Sequence, residues 1–223
     1  MSTSTHIPLP ARAALVAVPA AFAVLLWFHP MIGDWEGLRD ATTRFQAVHI
    51  GMVLALPLLG LGIRALLDGM PGRAAAVGRV AVIPFVAFYV PYVAFEGFAL
   101  GALGQELNAL SPALRDAAAP ALVESMARNP ILGEPGIFWG LGTIAWVVTI
   151  VATVLAFRRA GAPLVVQFLL GFSALIATHA PPLAPVGWIC FAAASAYMLR
   201  ARHAAGSEPA PPPVPVAAEA RAR

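Results

Sequence analysis

The chain alternates between long apolar stretches and short polar connections. The six apolar stretches cover residues 13–28, 46–67, 79–104, 136–157, 163–179 and 185–199. A bilayer core about 30 Å thick requires roughly 20 apolar residues in a helix, because the backbone must satisfy its own hydrogen bonds there. The pattern therefore predicts six transmembrane helices, of which the fifth is short.

The composition supports the same class. Hydrophobic residues make up 60% of the 223 residues and charged residues only 11%, against about 25% in soluble domains. We therefore expect an all-α, multi-pass membrane protein whose main partner is the lipid bilayer. A six-helix domain would cover residues 1–203, and a disordered Pro- and Ala-rich tail would cover 204–223. The net charge of +3 does not indicate nucleic-acid binding.

The distribution of arginine predicts the orientation. All fourteen basic residues are Arg, and six spans return the C-terminus to the side of the N-terminus. Four of these arginines then lie on one side of the membrane, namely Arg39, Arg44, Arg115 and Arg128, and the other ten lie with the termini. Because basic residues favour the cytoplasmic side, both termini are predicted to be cytoplasmic, in a bacterial cytoplasmic membrane.

The one long hydrophilic connection, at about 105–135, contains a helical pattern. Ser111 and Pro112 form a typical helix start. An apolar stripe then recurs at steps of four residues, through Leu114, Ala118, Leu122 and Met126. The pattern predicts an amphipathic helix over 112–128, lying on the membrane surface near the fourth span. It would be a linker or a lid over a site.

Glu96 is an acidic residue inside the third apolar stretch. A helix from Arg79 places it about 26 Å along the span, below one membrane face. Tyr89 and Tyr92 precede it at helical spacing, so a polar stripe runs along one side of this helix. A carboxyl group in a membrane needs a partner, a proton or a function. Glu96 is therefore the first candidate for a site, with Tyr89 and Tyr92 beside it.

Three histidines are predicted at the height of Glu96, on the extracytoplasmic side. His29 ends the first span, His49 begins the second and His179 ends the fifth. Imidazole and carboxylate are ligands of zinc and other divalent metals, so His29, His49, Glu96 and His179 form a candidate metal site. Two of the histidines could instead ligate haem. No short His-x-x-His or His-Glu-x-x-His spacing supports either assignment.

The histidines also have a simpler explanation. Residues at helix ends lie at the membrane interface, where histidine is tolerated, and tryptophans often form a belt at that level. The tryptophans that would form such a belt are Trp27, Trp35, Trp139 and Trp188. Under this interpretation each histidine is an interfacial residue, and Glu96 alone signals a function.

Three function hypotheses follow from these residues. The first is a metal- or haem-binding membrane enzyme on a lipid-like substrate, with Glu96 as base or ligand. The second is a metal-free enzyme in which protonated Glu96 acts on an isoprenoid-like substrate, with Tyr89 and Tyr92 stabilising positive charge. The third is a transporter or complex subunit in which Glu96 carries a proton or pairs with His49. The residues alone do not decide whether the protein is an enzyme.

Overall fold

The computed structural model describes residues 7–30, 35–178 and 181–206, and within these ranges every regular element is a helix. The all-helical class is therefore confirmed. The α-helices are α1 Leu9–Trp27, α2 Trp35–Leu67, α3 Arg73–Ala94, α4 Gly101–Ala109, α5 Pro112–Ala127, α6 Ile137–Arg159, α7 Leu164–Phe172 and α8 Leu183–Gly206. A π-helical segment, Phe95–Leu100, joins α3 to α4, and a 3₁₀ segment, Ser173–Thr178, follows α7. The predicted tail over 204–223 lies outside the described residues from 207 onward.

Five helices among the described residues are long and apolar enough to cross a membrane. They are Leu9–Trp27, Trp35–Leu67, Arg73–Ala109, Ile137–Arg159 and Leu183–Ala201, and Leu164–Ile176 is a shorter apolar helix. Large apolar side chains on several of them point away from the protein, including Leu54, Val80, Ile144 and Ile189. Apolar surface on the outside of a helix is typical of helices that face lipid. These features are compatible with an integral membrane protein.

The long helices are arranged in a ring that follows the order of the chain. α1 packs against α2, α2 against α3, α3 against α6, α6 against α7 and α7 against α8, and α8 returns to α1. Apart from α4 and α5, each of these helices therefore packs against the one that follows it in sequence, and the last packs against the first. One end of the ring, where α1 ends and α2 and α6 begin, contains Glu96 and is called the Glu96 end below.

Aromatic side chains fill the centre of the ring. Phe22 of α1 stacks on Trp188 of α8 with ring centroids 4.6 Å apart, and Phe85 of α3 lies 4.7 Å from Trp146 of α6. The two tryptophans are 6.3 Å apart. This row of rings connects opposite sides of the ring of helices. Trp188 is therefore a core residue and not part of an interfacial belt, so that prediction is wrong for this residue.

A small second core lies beyond the Glu96 end of the ring. α2 has 33 residues and the continuous helix Arg73–Ala109 has 37, so each is about 50 Å long or more. Both extend well past a bilayer core of about 30 Å. Their extensions and α5 bury a shared cluster made of Trp35, Leu38, Phe45, Leu100, Leu107, Ala119 and Val123. We call α4, α5 and residues 35–45 the head.

The head corrects two expectations from the sequence. Residues 35–45 were expected to be a polar loop, yet α2 begins at Trp35, because Trp35 and Leu38 are buried against the rest of the head. The predicted amphipathic helix is present as α5, but it contacts α2, the π segment and α4. Its buried residues are Ala119 and Val123, whereas Leu114, from the predicted apolar stripe, is 63% exposed.

Candidate functional site

His49 and Glu96 meet at the Glu96 end, one from α2 and one from the π segment. The His49 Nε2 atom lies 3.2 Å from Glu96 Oε2. The other ring nitrogen, Nδ1, lies 2.8 Å from the backbone oxygen of Phe45. The His49 side chain is completely buried and that of Glu96 is 14% exposed. Both nitrogens of the imidazole are thus engaged by oxygen atoms.

This arrangement requires a proton between His49 and Glu96. A carbonyl oxygen can only accept a hydrogen bond, so Nδ1 of His49 must carry hydrogen and donate it to Phe45. In a neutral imidazole the Nε2 atom is then an acceptor. The contact with the Glu96 carboxyl group is a hydrogen bond in two cases: His49 is protonated and donates to a carboxylate, or Glu96 is protonated and donates to Nε2. In both cases the pair holds one exchangeable proton.

The π segment and three glycines bring Glu96 to α2. A π turn closes i→i+5 hydrogen bonds, holds an extra residue and occurs often at functional sites. Gly97 lies against His49, Gly101 against Gln46 and Gly104 against Thr42, so the two antiparallel helices approach closely. Small residues at this spacing allow such close contact between helices. The Glu96 carboxyl group reaches His49 because the adjacent residue has no side chain.

His29 lies next to this pair. Its ring centroid is 5.1 Å from that of His49 and 5.9 Å from that of Phe45. Phe45 in turn is 4.1 Å from His49. Three rings therefore pack together where α1 ends and α2 passes. The structure brings together His29, His49 and Glu96, three of the four predicted metal ligands, while the fourth, His179, lies outside the described residues.

Two tyrosines and a second carboxyl group continue the polar cluster. The Tyr92 hydroxyl donates a hydrogen bond of 2.9 Å to Glu134 Oε2, from the loop before α6. Tyr89 packs edge-on against Tyr92 with centroids 5.4 Å apart, and both tyrosines are buried. The predicted stripe of Tyr89, Tyr92 and Glu96 therefore faces the interior of the ring.

Glu134 was not predicted as a site residue, although the sequence places it in a loop at this level. The Glu134 residue as a whole is exposed. Its carboxyl group, however, is partly buried beside Tyr92 and Glu96. Partial burial raises the pKa of Glu134, and the hydrogen bond from Tyr92 opposes this effect. The negative charge of Glu96 raises the pKa of Glu134 further. No short-range sequence signal connects Glu134 with Tyr92, because 42 residues separate them.

The three described donors, His29, His49 and Glu96, do not form a metal site by themselves in this arrangement. Within the described ranges, no three His, Cys, Asp or Glu side chains gather closely enough to share a metal ion. Both ring nitrogens of His49 are engaged by Phe45 and Glu96, so a bound metal would have to displace one of these contacts. The metal and haem hypotheses stay predictions.

Comparison with known proteins gives no relative for this chain. No protein-family model, no curated protein and no solved structure matches it.

Proposed function

We propose that the protein is a six-span integral membrane protein whose His49–Glu96 pair binds and releases a proton at its extracytoplasmic end. Such a pair would be the proton-binding site of a proton-coupled transporter or of a subunit in a proton-carrying complex. This is the third of the hypotheses drawn from the sequence. The single observation that supports it is the 3.2 Å contact between His49 Nε2 and Glu96 Oε2, with Nδ1 of His49 bonded to a backbone carbonyl.

The proposal of six spans rests on the position and length of α7. α7 occupies the place of one long helix in the ring, between α6 and α8. Its nine α-helical residues are followed by six residues of 3₁₀ helix, which rises about 2 Å per residue instead of 1.5 Å. Together these segments extend about 25 Å, close to the thickness of the hydrocarbon core. The switch to 3₁₀ thus lengthens a span that is short in residues.

The orientation rests on the arginines. With six spans, the end of the ring opposite to Glu96 carries the Arg-rich connections around α2–α3 and α6–α7, for example Arg73 and Arg159. The positive-inside rule assigns that end to the cytoplasm. The Glu96 end, with the head, then faces the extracytoplasmic side, and both chain termini are cytoplasmic.

The pair suits proton exchange better than permanent structural pairing. A buried ion pair costs desolvation that its mutual attraction does not always repay, so it is a poor device for stability alone. In a membrane, an ionisable residue that faces a partner inside the bundle is by default a functional candidate. Here the proton can reside on either partner, and Glu96 retains some exposure. These properties favour a site that alternately binds and releases a proton.

Infrared difference spectroscopy on the purified protein tests this function. Spectra recorded at acidic and alkaline pH will contain a carboxyl band from Glu96 that is absent in Glu96→Gln. The amide keeps the shape of the side chain and removes the proton. Glu106→Gln is the matched control, because Glu106 lies on the same continuous helix and is exposed. If the pH-dependent carboxyl bands of Glu96→Gln and of the unaltered protein are identical, the proposed function is wrong.

A further inference from the structure

Glu134 occupies a special position in the polar cluster because it reaches both Tyr92 and the surrounding water. His49 and Tyr92 are completely buried, and the Glu96 side chain is only 14% exposed. Glu134 is exposed, and its Oε2 atom accepts the 2.9 Å hydrogen bond of the Tyr92 hydroxyl. Exposure therefore increases from His49 through Glu96 to Glu134. Glu134 is therefore the carboxyl group of this cluster that water reaches most freely.

A hydrogen-bonded loop holds Glu134 in this position. The loop between α5 and α6 is fixed by two hydrogen bonds to Asn129 Oδ1, from the backbone of Ile131 and Leu132. The backbone nitrogen of Glu134 also donates to the oxygen of Ala127 over 2.9 Å. A side chain at Gly133 would overlap the backbone of Ala127, so the loop is tightly packed. The carboxyl group of Glu134 is thus presented to Tyr92 by a structured segment.

We propose that Glu134 is a second proton-binding residue of the site, through which the His49–Glu96 pair exchanges its proton with the extracytoplasmic water by way of the Tyr92 hydroxyl. This inference rests on the function proposed above. Tyr92 lies one helical turn before Glu96, so both side chains project on the same side of the helix. Tyr92 is therefore the hydroxyl group near Glu96 on the same helix that contacts Glu134 directly.

The transfer conserves protons and charges. In the outward direction, Tyr92 gives its hydroxyl hydrogen to the carboxylate of Glu134 and takes the proton of Glu96. One proton has then moved from Glu96 to Glu134, and Tyr92 is again neutral. Glu134 releases the proton to water, and the inward direction reverses each step.

The titratable groups around this path lie on the continuous helix Arg73–Ala109, on α2 and at the end of α1. Tyr89, Tyr92 and Glu96 face Glu134 from the α3 side. His29, at the end of α1, lies beside His49. Burial raises the pKa of Glu134 and the negative charge of Glu96 raises it further, so the charge of the pair affects whether Glu134 is ionised. Whether Glu134 holds a proton should therefore depend on whether the His49–Glu96 pair holds its proton.

A pH-jump experiment on the full-length protein in detergent tests the inference. The rate at which the Glu96 infrared band changes after the jump is measured for the unaltered protein, Glu134→Gln and Tyr92→Phe, with Glu106→Gln as the exposed-carboxylate control. Gln at position 134 keeps an oxygen that accepts the Tyr92 hydrogen bond, so this variant should fold. We expect the rate to fall at least about tenfold in Glu134→Gln and in Tyr92→Phe, and to stay unchanged in Glu106→Gln.

The outcomes separate the two proposals. A Glu96 band whose rate is the same in Glu134→Gln as in the unaltered protein overturns the role of Glu134 and leaves the proton-binding pair intact. Absence of any pH-dependent Glu96 band in the unaltered protein overturns both. If Tyr92→Phe does not fold, Glu134→Gln decides the result alone.

Discussion

Gly97 on the π segment lies directly against His49 on α2, and a methyl group on Gly97 would overlap the Cβ atom of His49. This contact determines how closely the continuous helix Arg73–Ala109 approaches α2. It also sets the distance between His49 and Glu96, the residue next to Gly97. The same glycine therefore serves both the packing of the ring and the geometry of the site.

Gly97→Ala should destabilise the protein and separate His49 from Glu96. Overpacking of this kind costs about 1–3 kcal/mol, which corresponds to a fall in melting temperature of several degrees for a chain of this size. Gly140→Ala in α6 is the control, because no atom lies within 4 Å of the position of its added methyl group. There we expect a stability gain of about 0.5–1 kcal/mol. Thermal unfolding in detergent checks both, and equal effects of the two substitutions would contradict the tight contact.

Glu134→Gln should stabilise the protein at neutral pH and not at acidic pH. The pKa of Glu134 is raised in the folded state, chiefly by burial. The stabilising contribution of the protonated carboxyl group is therefore complete below the unfolded pKa of about 4.3. It is lost as the pH rises through the folded pKa. Gln is neutral throughout, so it avoids the cost of the ionised carboxylate at high pH. Since the residue is exposed, the gain should be below about 1 kcal/mol, or about 1–3 °C in melting temperature.

Melting temperatures of Glu134→Gln and of the unaltered protein, measured from pH 4 to pH 8, check this prediction. The two curves should meet at the acidic end and diverge as pH rises. A variant that is less stable than the unaltered protein at neutral pH would show that the ionised form of Glu134 is favoured in the folded state. Glu106→Gln should change neither curve by a comparable amount, since Glu106 is exposed.

Trp146→Ala should strongly destabilise the ring. Trp146 is 1% exposed, contacts Phe85 and Trp188, and donates a hydrogen bond from Nε1 to the oxygen of Ser173 over 3.3 Å. Removal of a buried tryptophan typically costs about 3–5 kcal/mol, because a cavity is left behind. Trp27→Ala is the control, since Trp27 is 59% exposed, and its effect should be below about 1 kcal/mol. Size-exclusion profiles and thermal unfolding in the same detergent should separate the two variants clearly.

Cysteine labelling in intact membranes tests the topology. In a Cys190→Ala background, a cysteine at Asp116 in the head and one at Arg159 at the end of α6 should react from opposite sides of the membrane. Both positions are exposed, so access of the reagent is not limited by burial. If the two positions react from the same side, the six-span arrangement with cytoplasmic termini is wrong.

Much of the fold follows from local patterns in the sequence. Uninterrupted apolar runs predict helices that cross a bilayer, because only a helix satisfies its own backbone there. Ser111 and Pro112 predict the start of α5, and the structure begins that helix at Pro112. Glycines at 97, 101 and 104 predict close contact, since their spacing places them on one helix face. Each of these inferences depends on residues within a few turns of one another.

The sequence also directed attention to Glu96, because an acidic residue within an apolar run is costly wherever that run lies. It supplied His49 and His29 as candidate partners through their common height at helix ends. It did not specify that His49 would use Nδ1 for the oxygen of Phe45 and Nε2 for Glu96. The Nδ1 contact lies within α2, but the Nε2 contact depends on how α2 packs against the π segment.

Tertiary structure alone decided three further features. α2 continues outward to Trp35 because Trp35 and Leu38 find a buried surface on α4 and α5, whereas the local sequence is polar enough to predict a loop. α5 buries Val123 and exposes Leu114, because the available partner surface selects the face. Glu134 joins the site only because the packing of α6 on α3 brings its loop above Tyr92. The local pattern determines which segments must leave water, but contacts between distant segments determine which faces and which polar groups they share.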